Sequence, residues 1–234
     1  MRIILASTSP RRRELIKQIT QEYECAASSV DEQSIEERVI EQGGYGSEAE
    51  LAGLTVRALS RAKAMDVFET MGRPEDSLVI VADTVVCLQD EILGKPKDRD
   101  DAVRMLRAQS IEPQRVITGV TLIYNCTEDC ASGCSKGCCP GCGKVMPGGT
   151  MVRTFTEESF VYFKPLDEAQ EARIQAYCDT GEPYDKAGAY GIQLGGIALV
   201  DHYEGDVNNI IGFPVDRIRR EIAELTGCNF DNLT

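Results

Sequence analysis

Ile3-Ile4-Leu5-Ala6-Ser7-Thr8-Ser9-Pro10-Arg11-Arg12-Arg13 is the stretch around which the rest of the chain is read. An apolar run of strand type ends at Ala6, small hydroxyl residues turn the chain, and Ser9-Pro10 opens a helix. Serine suits the cap because its oxygen accepts an orphan backbone N–H. Proline suits the first helical position because no N–H is needed there. Three arginines then crowd the first turn, at the positive end of the helix dipole, where each is disfavoured by roughly 0.3–1 kcal/mol. Ser, Thr and backbone N–H groups beside them would complete an anion cradle, and a bound phosphate would remove the penalty. An ordinary basic surface turn explains these residues equally well on their own.

Composition sharpens the choice. The 234 residues carry a net charge of −13, with 27% charged and 42% hydrophobic residues, an ordinary globular make-up that argues against a broad nucleic-acid footprint. Residues 1–17 nevertheless hold five cations (Arg2, Arg11, Arg12, Arg13, Lys17) against one anion, Glu14. One basic pocket on an acidic protein suits a small phosphorylated ligand better than a polymer. The chain starts directly on a strand, without a charged leader, an apolar h-region or a long apolar span. It is therefore expected to be soluble, unexported and cytoplasmic, away from membranes.

Further along, helices are expected over Arg11–Thr20 and Ile35–Ile40, the second ending at Gly43-Gly44. A longer amphipathic helix is expected over Ser47–Phe68, with Lys63 near Arg57 and Arg61. Asp31-Glu32 follows a short strand around Tyr23–Ala27. Leu78–Leu88 is the most strand-like run, and its two polar residues, Asp83 and Thr84, sit side by side in the middle. Such a run is usually buried on both faces. A carboxylate there needs a cation or donors, and Lys95 in Gly94-Lys95-Pro96 is placed to return to it. A buried Asp–Lys pair that only holds a turn is the plainer alternative. A helix over Asp98–Ser110, strands over Arg115–Tyr124 and Met151–Phe163, and a helix over Asp167–Cys178 follow. Gly181–Gln193 is a Gly-rich polar loop, before a strand Ile197–His202 and a helix Pro214–Leu225. His202 reads as structural on an apolar strand, which leaves no His-based triad. Cys25, Cys87, Cys178 and Cys228 read as packing residues.

Taken together, Leu5–Arg13 (LASTSPRRR), Asp31-Glu32, Ala82–Val86 (ADTVV), Gly94–Pro96 (GKP), Thr118–Val120 (TGV) and Thr180–Gln193 (TGEPYDKAGAYGIQ) resemble the Maf family of nucleotide pyrophosphatases. The motifs stand in the family's order and span nearly the whole chain. The resemblance implies an α/β fold, with a mixed twisted sheet, flanking helices and two lobes around a central cleft, in a single domain 1–234. It also implies hydrolysis of a nucleoside triphosphate to monophosphate and pyrophosphate. Arg11, Thr84 and Gln193 match the markers of the group similar to dTTP/UTP pyrophosphatases. The group that prefers methylated guanine nucleotides carries a Trp after Ser-Pro, and this chain has no Trp. Ser110-Ile111-Glu112-Pro113-Gln114-Arg115 departs from the family's usual Ser-Gly-x-x-His run, and Leu194 follows Gln193 where Gly is usual.

Hydrolysis at an α-phosphorus needs neutralised charge, in-line positioning and an activated water. Ser7, Arg12 and Arg13 are expected phosphate donors with Arg11, and Lys63 and Lys95 are point charges on the triphosphate. Glu32 and Asp83 offer hard oxygen ligands to a divalent cation, Mg²⁺ or Mn²⁺. By resemblance Asp83 is the general base, either through a burial-raised pKa or by orienting a metal-held water; the residues leave both routes open. Gln193 can offer a donor and an acceptor to a pyrimidine edge, or simply brace its loop. A purine-directed pyrophosphatase of the ITP kind and a nucleotide-binding regulator of cell division remain rival readings. The partner is a small nucleotide, and a homodimer is left open.

Residues 126–149 have another texture, with Cys126, Cys130, Cys134, Cys138, Cys139 and Cys142 among glycines and few core formers. They read as an insertion at a hairpin tip. In an unexported protein these thiols stay mostly reduced. The spacings permit zinc but contain no clean double C-x-x-C, so a redox-sensitive loop is favoured over a metal site. Deleting Cys126–Cys142 is expected to leave pyrophosphate release largely intact. Stoichiometric zinc in the purified protein, lost together with activity on that deletion, would overturn this.

Overall fold

Strand β3 (Ser77–Cys87) is apolar on both faces because helices cover both. It lies inside one mixed sheet in a computed structural model that describes residues 1–89, 91–126 and 149–226. The other strands are β1 (Arg2–Ala6), β2 (Glu24–Ala26), β4 (Ile92–Leu93), β5 (Gln114–Asn125), β6 (Thr150–Phe163) and β7 (Val200–Glu204). Their order is β2-β1-β3-β5-β6-β7, with β4 beside β3. β1 pairs in parallel with β2 and β3, whereas β3, β5, β6 and β7 run antiparallel in turn. Helices α1 (Pro10–Leu15), α2 (Glu32–Gln42), α3 (Glu48–Thr70), α4 (Arg99–Gln109), α5 (Glu168–Asp179), α6 (Val207–Ile211) and α7 (Val215–Thr226) flank the sheet. The expected mixed α/β class is what the chain adopts.

Successive strand residues face opposite sides, and β3 shows what that does. Leu78, Ile80 and Ala82 pack with Leu15 and Ile16 of the first helical segment and with Ile218 and Ile222 of α7. Val86 continues that face into a second cluster with Leu106 of α4 and Ile174 of α5. Val79 and Val81 pack on Ala64, Val67 and Phe68 of α3. The two clusters on the first face are the two lobes, and the cleft lies between them. Asp83 and Thr84, adjacent in sequence, are thereby sent to opposite faces of the sheet.

The register carries the same division into β5. Asp83 lies opposite Gly119, and Thr84 opposite Thr118. A Cβ on Gly119 would stand 2.4 Å from the Val56 carbonyl oxygen of α3. Only glycine lets the α3 backbone settle this close, and that closeness brings the later turns of α3 down over Asp83.

Several boundaries differ from expectation. The first helix stops at Leu15 and tightens into a 3-10 turn, Ile16–Gln18, which carries both Ile16 and Ile19 into the core. Ser9 occupies the cap position but makes no side-chain cap bond; its own N–H is accepted by Ser7 Oγ at 3.1 Å. The last strand begins at Val200, after a 3-10 segment Leu194–Leu199. It is a sheet edge exposed beyond Val200, so His202 is not on an apolar strand. Its ring stacks on Tyr162 at 4.3 Å and its Nδ1 lies 2.8 Å from Asp201. Cys25 is likewise exposed rather than packed, whereas Cys87 and Cys178 are buried. Helix α6 escapes a periodicity reading because five residues are too few to show one; Asp206 caps it through the Asn208 N–H at 2.8 Å. Asn125 pairs with Thr150 at the end of the β5–β6 hairpin. Cys130, Cys134, Cys138, Cys139, Cys142 and Cys228 lie outside the described residues.

Gly119→Ala is expected to lower stability by about 1–3 kcal/mol or more, because the added methyl meets backbone that cannot rotate away. Denaturant unfolding checks this. A variant as stable as the parent would show that α3 does not depend on the close approach.

Candidate active site

Between the two lobes lies a cavity of about 420 Å³, within the range of small-ligand sites. Its walls combine Ser7 to Arg12 from the β1–α1 turn, Thr84 and Val86 of β3, Val116 of β5, Lys95, the 185–193 loop, and Ile210 and Ile211 of α6. Four cations, Arg11, Arg12, Lys95 and Lys186, line it against one carboxylate, Asp185. Val86, Val116, Tyr190, Ile192 and Ile210 form an apolar part of the same wall.

Arg12 is the most fixed of the cations. Its Nε donates to the Gly212 carbonyl at 2.9 Å and its Nη2 to Thr84 Oγ1 at 3.0 Å. Burial lowers its pKa, with the charge of Arg11 adding to this; Asp83 and Glu32 act in the opposite sense. A half-buried guanidinium held by two of its donors at a cavity wall is a strong site for an anion. Arg11 is half-exposed at the rim, 3.5 Å from Asp185. Lys186 donates to Asp185 at 2.6 Å and to the Glu182 carbonyl. Lys95 is exposed on the wall without a partner among the described residues, and Gln193 is an exposed rim residue. Arg13 points to solvent and does not line the cavity.

A second constellation lies on the α3 face of β3. Lys63 Nζ stands 2.6 Å from Asp83 Oδ1 and 3.0 Å from Glu32 Oε1. The side chains of Lys63 and Asp83 are 15% and 16% exposed, so the pair is held well away from water. The cation that answers Asp83 is thus Lys63 of α3, not Lys95. Arg57 and Arg61 face outward on the same helix. Glu32 is put in place by its neighbours. Asp31 caps α2 through the Ser34 N–H, and Asp66 of α3 takes the Ser28 hydroxyl and the Ser29 N–H at 2.8 Å each. Those two bonds hold the Asp66 carboxyl below its usual range.

Glu36 joins this group and escaped the sequence reading, although its i,i+4 spacing from Glu32 was a usable signal. Burial first, then the charges of Glu32 and Asp83, raise its pKa, while Lys63 acts the other way. Lys186 and Tyr190 were also missed; both sit in the Gly-rich loop, where nothing in the sequence says which side chains turn inward. Among the described residues no group of three or more His, Cys, Asp or Glu is close enough to hold a metal ion as it stands. Glu32 and Asp83 are instead drawn together on the Lys63 ammonium. Nor is any helix among the described residues long and apolar enough to cross a membrane.

Comparison with known proteins agrees with this architecture. The Maf-like protein family model matches residues 2–225. A dTTP/UTP pyrophosphatase of Acetivibrio thermocellus is 39% identical over 222 residues, covering 93% of this chain and 92% of its own. Proteins of the same name from Thermoanaerobacter sp. (strain X514) and Halalkalibacterium halodurans are 37% and 34% identical. Each of those two matches covers 93% or more of both chains. Among solved structures, the Staphylococcus aureus Ham1 protein aligns at 12% identity with a TM-score of 0.37, too low to bear on the fold. With a family match over almost its entire length and relatives above one-third identity, the chain belongs to the Maf-like protein family.

Proposed function

We propose that this protein hydrolyses dTTP and UTP to the nucleoside monophosphate and pyrophosphate, a nucleotide-pool house-cleaning reaction. The observation that carries the reading is the cavity itself. Four cations converge beside an apolar wall, and a half-buried carboxylate–ammonium pair outside the cavity lining stands within electrostatic reach of Arg12. The relatives named dTTP/UTP pyrophosphatase support the choice of nucleotide.

In this reading Arg12, with Arg11 and Lys95, receives the triphosphate, and the apolar wall with Gln193 at the rim receives the base. Lys63 is shared. In the free protein it is bonded to Asp83, and on arrival of the polyanion its ammonium turns toward phosphate, leaving Asp83 Oδ1 free to take a proton from water. The donor chemistry fits a divalent cation as well. Glu32 and Asp83 offer hard oxygens, and Glu36 lies near enough to them that their charges, after burial, add to the upward shift of its pKa. Mg²⁺ or Mn²⁺ held by Glu32 and Asp83 would supply Lewis-acid chemistry to the phosphate oxygens.

Pyrophosphate release across a nucleotide panel tests the function. dTTP and UTP are expected to be turned over faster than ATP, GTP or ITP, because a polar edge reader rejects bases that leave its groups unpaired. Faster hydrolysis of ITP or GTP would favour the purine-directed reading, and no hydrolysis of any nucleotide would favour the regulator. Asp83→Asn is expected to lower kcat by about 10²–10⁴-fold with the fold retained. Near-parental turnover in this variant would remove Asp83 from the chemistry. Lys63→Gln is expected to bind Mn²⁺ more tightly than the parent in the absence of nucleotide, since the competing ammonium is gone. Titration calorimetry reads this directly, and equal or weaker binding would argue against Glu32 and Asp83 as the ligands.

A further inference from the structure

The family resemblance makes Thr84 a marker of base choice, but its hydroxyl is already engaged. Thr84 Oγ1 accepts Arg12 Nη2 at 3.0 Å and lies 3.0 Å from Thr118 Oγ1, with the Gly212 carbonyl at 3.5 Å. A hydroxyl has one proton and two lone pairs. Thr118 is fully buried and its hydroxyl faces the Asn209 carbonyl at 3.4 Å. If Thr118 donates to Asn209, Thr84 donates to Thr118; if Thr118 donates to Thr84, Thr84 donates to Gly212. In the first arrangement the Thr84 proton is spent on Thr118; in the second, Arg12 and Thr118 take both lone pairs and the proton faces the long contact to Gly212. In either case the hydroxyl is engaged chiefly inside the protein, with Arg12 as its constant partner.

The surroundings point the same way. The Asn209 amide donates to the Val116 carbonyl at 3.1 Å and to Ser159 Oγ at 2.9 Å, so the row of hydroxyls is anchored in β5 and β6. Gly212 has φ +109°, and a Cβ there would stand 3.1 Å from Thr84 Oγ1 and 3.7 Å from Arg12 Nη2. The turn after α6 is therefore shaped to let its carbonyl and the Thr84 hydroxyl grip one guanidinium from two sides. Arg12 makes these two bonds with Nε and Nη2, and neither bond involves Nη1.

We propose that Thr84, with Thr118 behind it, is a positioning residue that aims Arg12 at the triphosphate and does not read the base. The proposal rests on the assignment of the cavity to a nucleoside triphosphate. It places base choice on the rim and apolar wall, and makes Thr84 matter equally for every nucleotide.

Inorganic tripolyphosphate, which has no base, separates the two roles. By titration calorimetry, Thr84→Val is expected to bind it about 10- to 100-fold more weakly than the parent, the scale set by losing one bond to a charged group and loosening its aim. Thr84→Ser keeps the hydroxyl and is expected to stay within about twofold. In turnover assays, Thr84→Val is expected to lose kcat/KM by a similar factor for dTTP, UTP and GTP alike, leaving the ratios among them unchanged. Thr118→Val keeps the shape of a residue outside the cavity wall, so weaker tripolyphosphate binding by this variant reaches the ligand through its hydroxyl partners, Thr84 on Arg12 or Asn209 on α6. The Thr84 route is shown by a Thr84→Val/Thr118→Val double variant that binds no more weakly than Thr84→Val alone. Thermal melting shows that each variant is folded, and Thr118→Val carries the test if Thr84→Val is not. Unchanged tripolyphosphate binding in the folded valine variants, or a collapse of the dTTP-to-GTP ratio in Thr84→Val, would overturn the proposal. If the parent hydrolyses no nucleotide at all, the functional reading fails, while the tripolyphosphate measurements still judge the role of Thr84.

Discussion

Contact between the α3 backbone and β5 at Gly119 is the constraint on which the rest of the structure depends. Because Gly119 has no side chain, the Val56 carbonyl lies where a Cβ would otherwise be. Two turns further along α3, Lys63 comes down on Asp83, the residue opposite Gly119 in the sheet. A carboxylate largely withdrawn from water in an apolar strand would be costly unpaired, and this approach is what supplies its cation. The same helix carries Asp66, whose bonds to Ser28 and Ser29 draw the start of α2 inward and place Glu32 on the far side of Lys63. One missing side chain thus organises three charged ones.

The other face of β3 works by a different principle. There hydroxyls and carbonyls, and no carboxylate, hold the Arg12 guanidinium in a fixed direction. Gly212 and Thr84, with Thr118 behind Thr84, present neutral oxygens to Arg12, which orient it without cancelling its charge. A carboxylate in their place would have neutralised the cation that the cavity presents. The strand therefore separates two tasks on its two sides, a shielded acid–ammonium pair and an aimed cation, and Asp83 and Glu32 remain within electrostatic reach of Arg12.

Most of the fold was legible in the chain. The apolar runs of β1 and β3, the helical spacing of α3, α4, α5 and α7, and the turn residues between them each follow from local chemistry, and their boundaries shifted by only a few residues. The failures have physical causes. His202 looked buried because its strand follows Ile197, Leu199 and Val200, yet an edge strand buries only what faces the sheet packing, and only Val200 does. Ser9 looked like a cap, and it holds that position without a side-chain cap bond, its own N–H donating to Ser7 Oγ. Cys25 looked like a packing residue, but β2 is a three-residue edge strand that presents it to solvent.

The sequence by itself determined which residues carry charge and hydroxyl groups, and that cations gather around residues 11–13 in an otherwise acidic chain. It also determined that Asp83 must find a partner. Only the tertiary structure decided that the partner is Lys63 and not Lys95. The two lysines carry the same side chain and are equally plausible along the chain, and the difference between them is a helix packed on glycine. Only the tertiary structure sent Asp83 and Thr84 to opposite faces, enclosed Arg12 and left Arg13 in solvent. Neighbours in sequence are separated by strand and helix periodicity, and residues far apart are joined by register and packing. Which of several like side chains faces the cleft is a property of those contacts, and local sequence does not contain it.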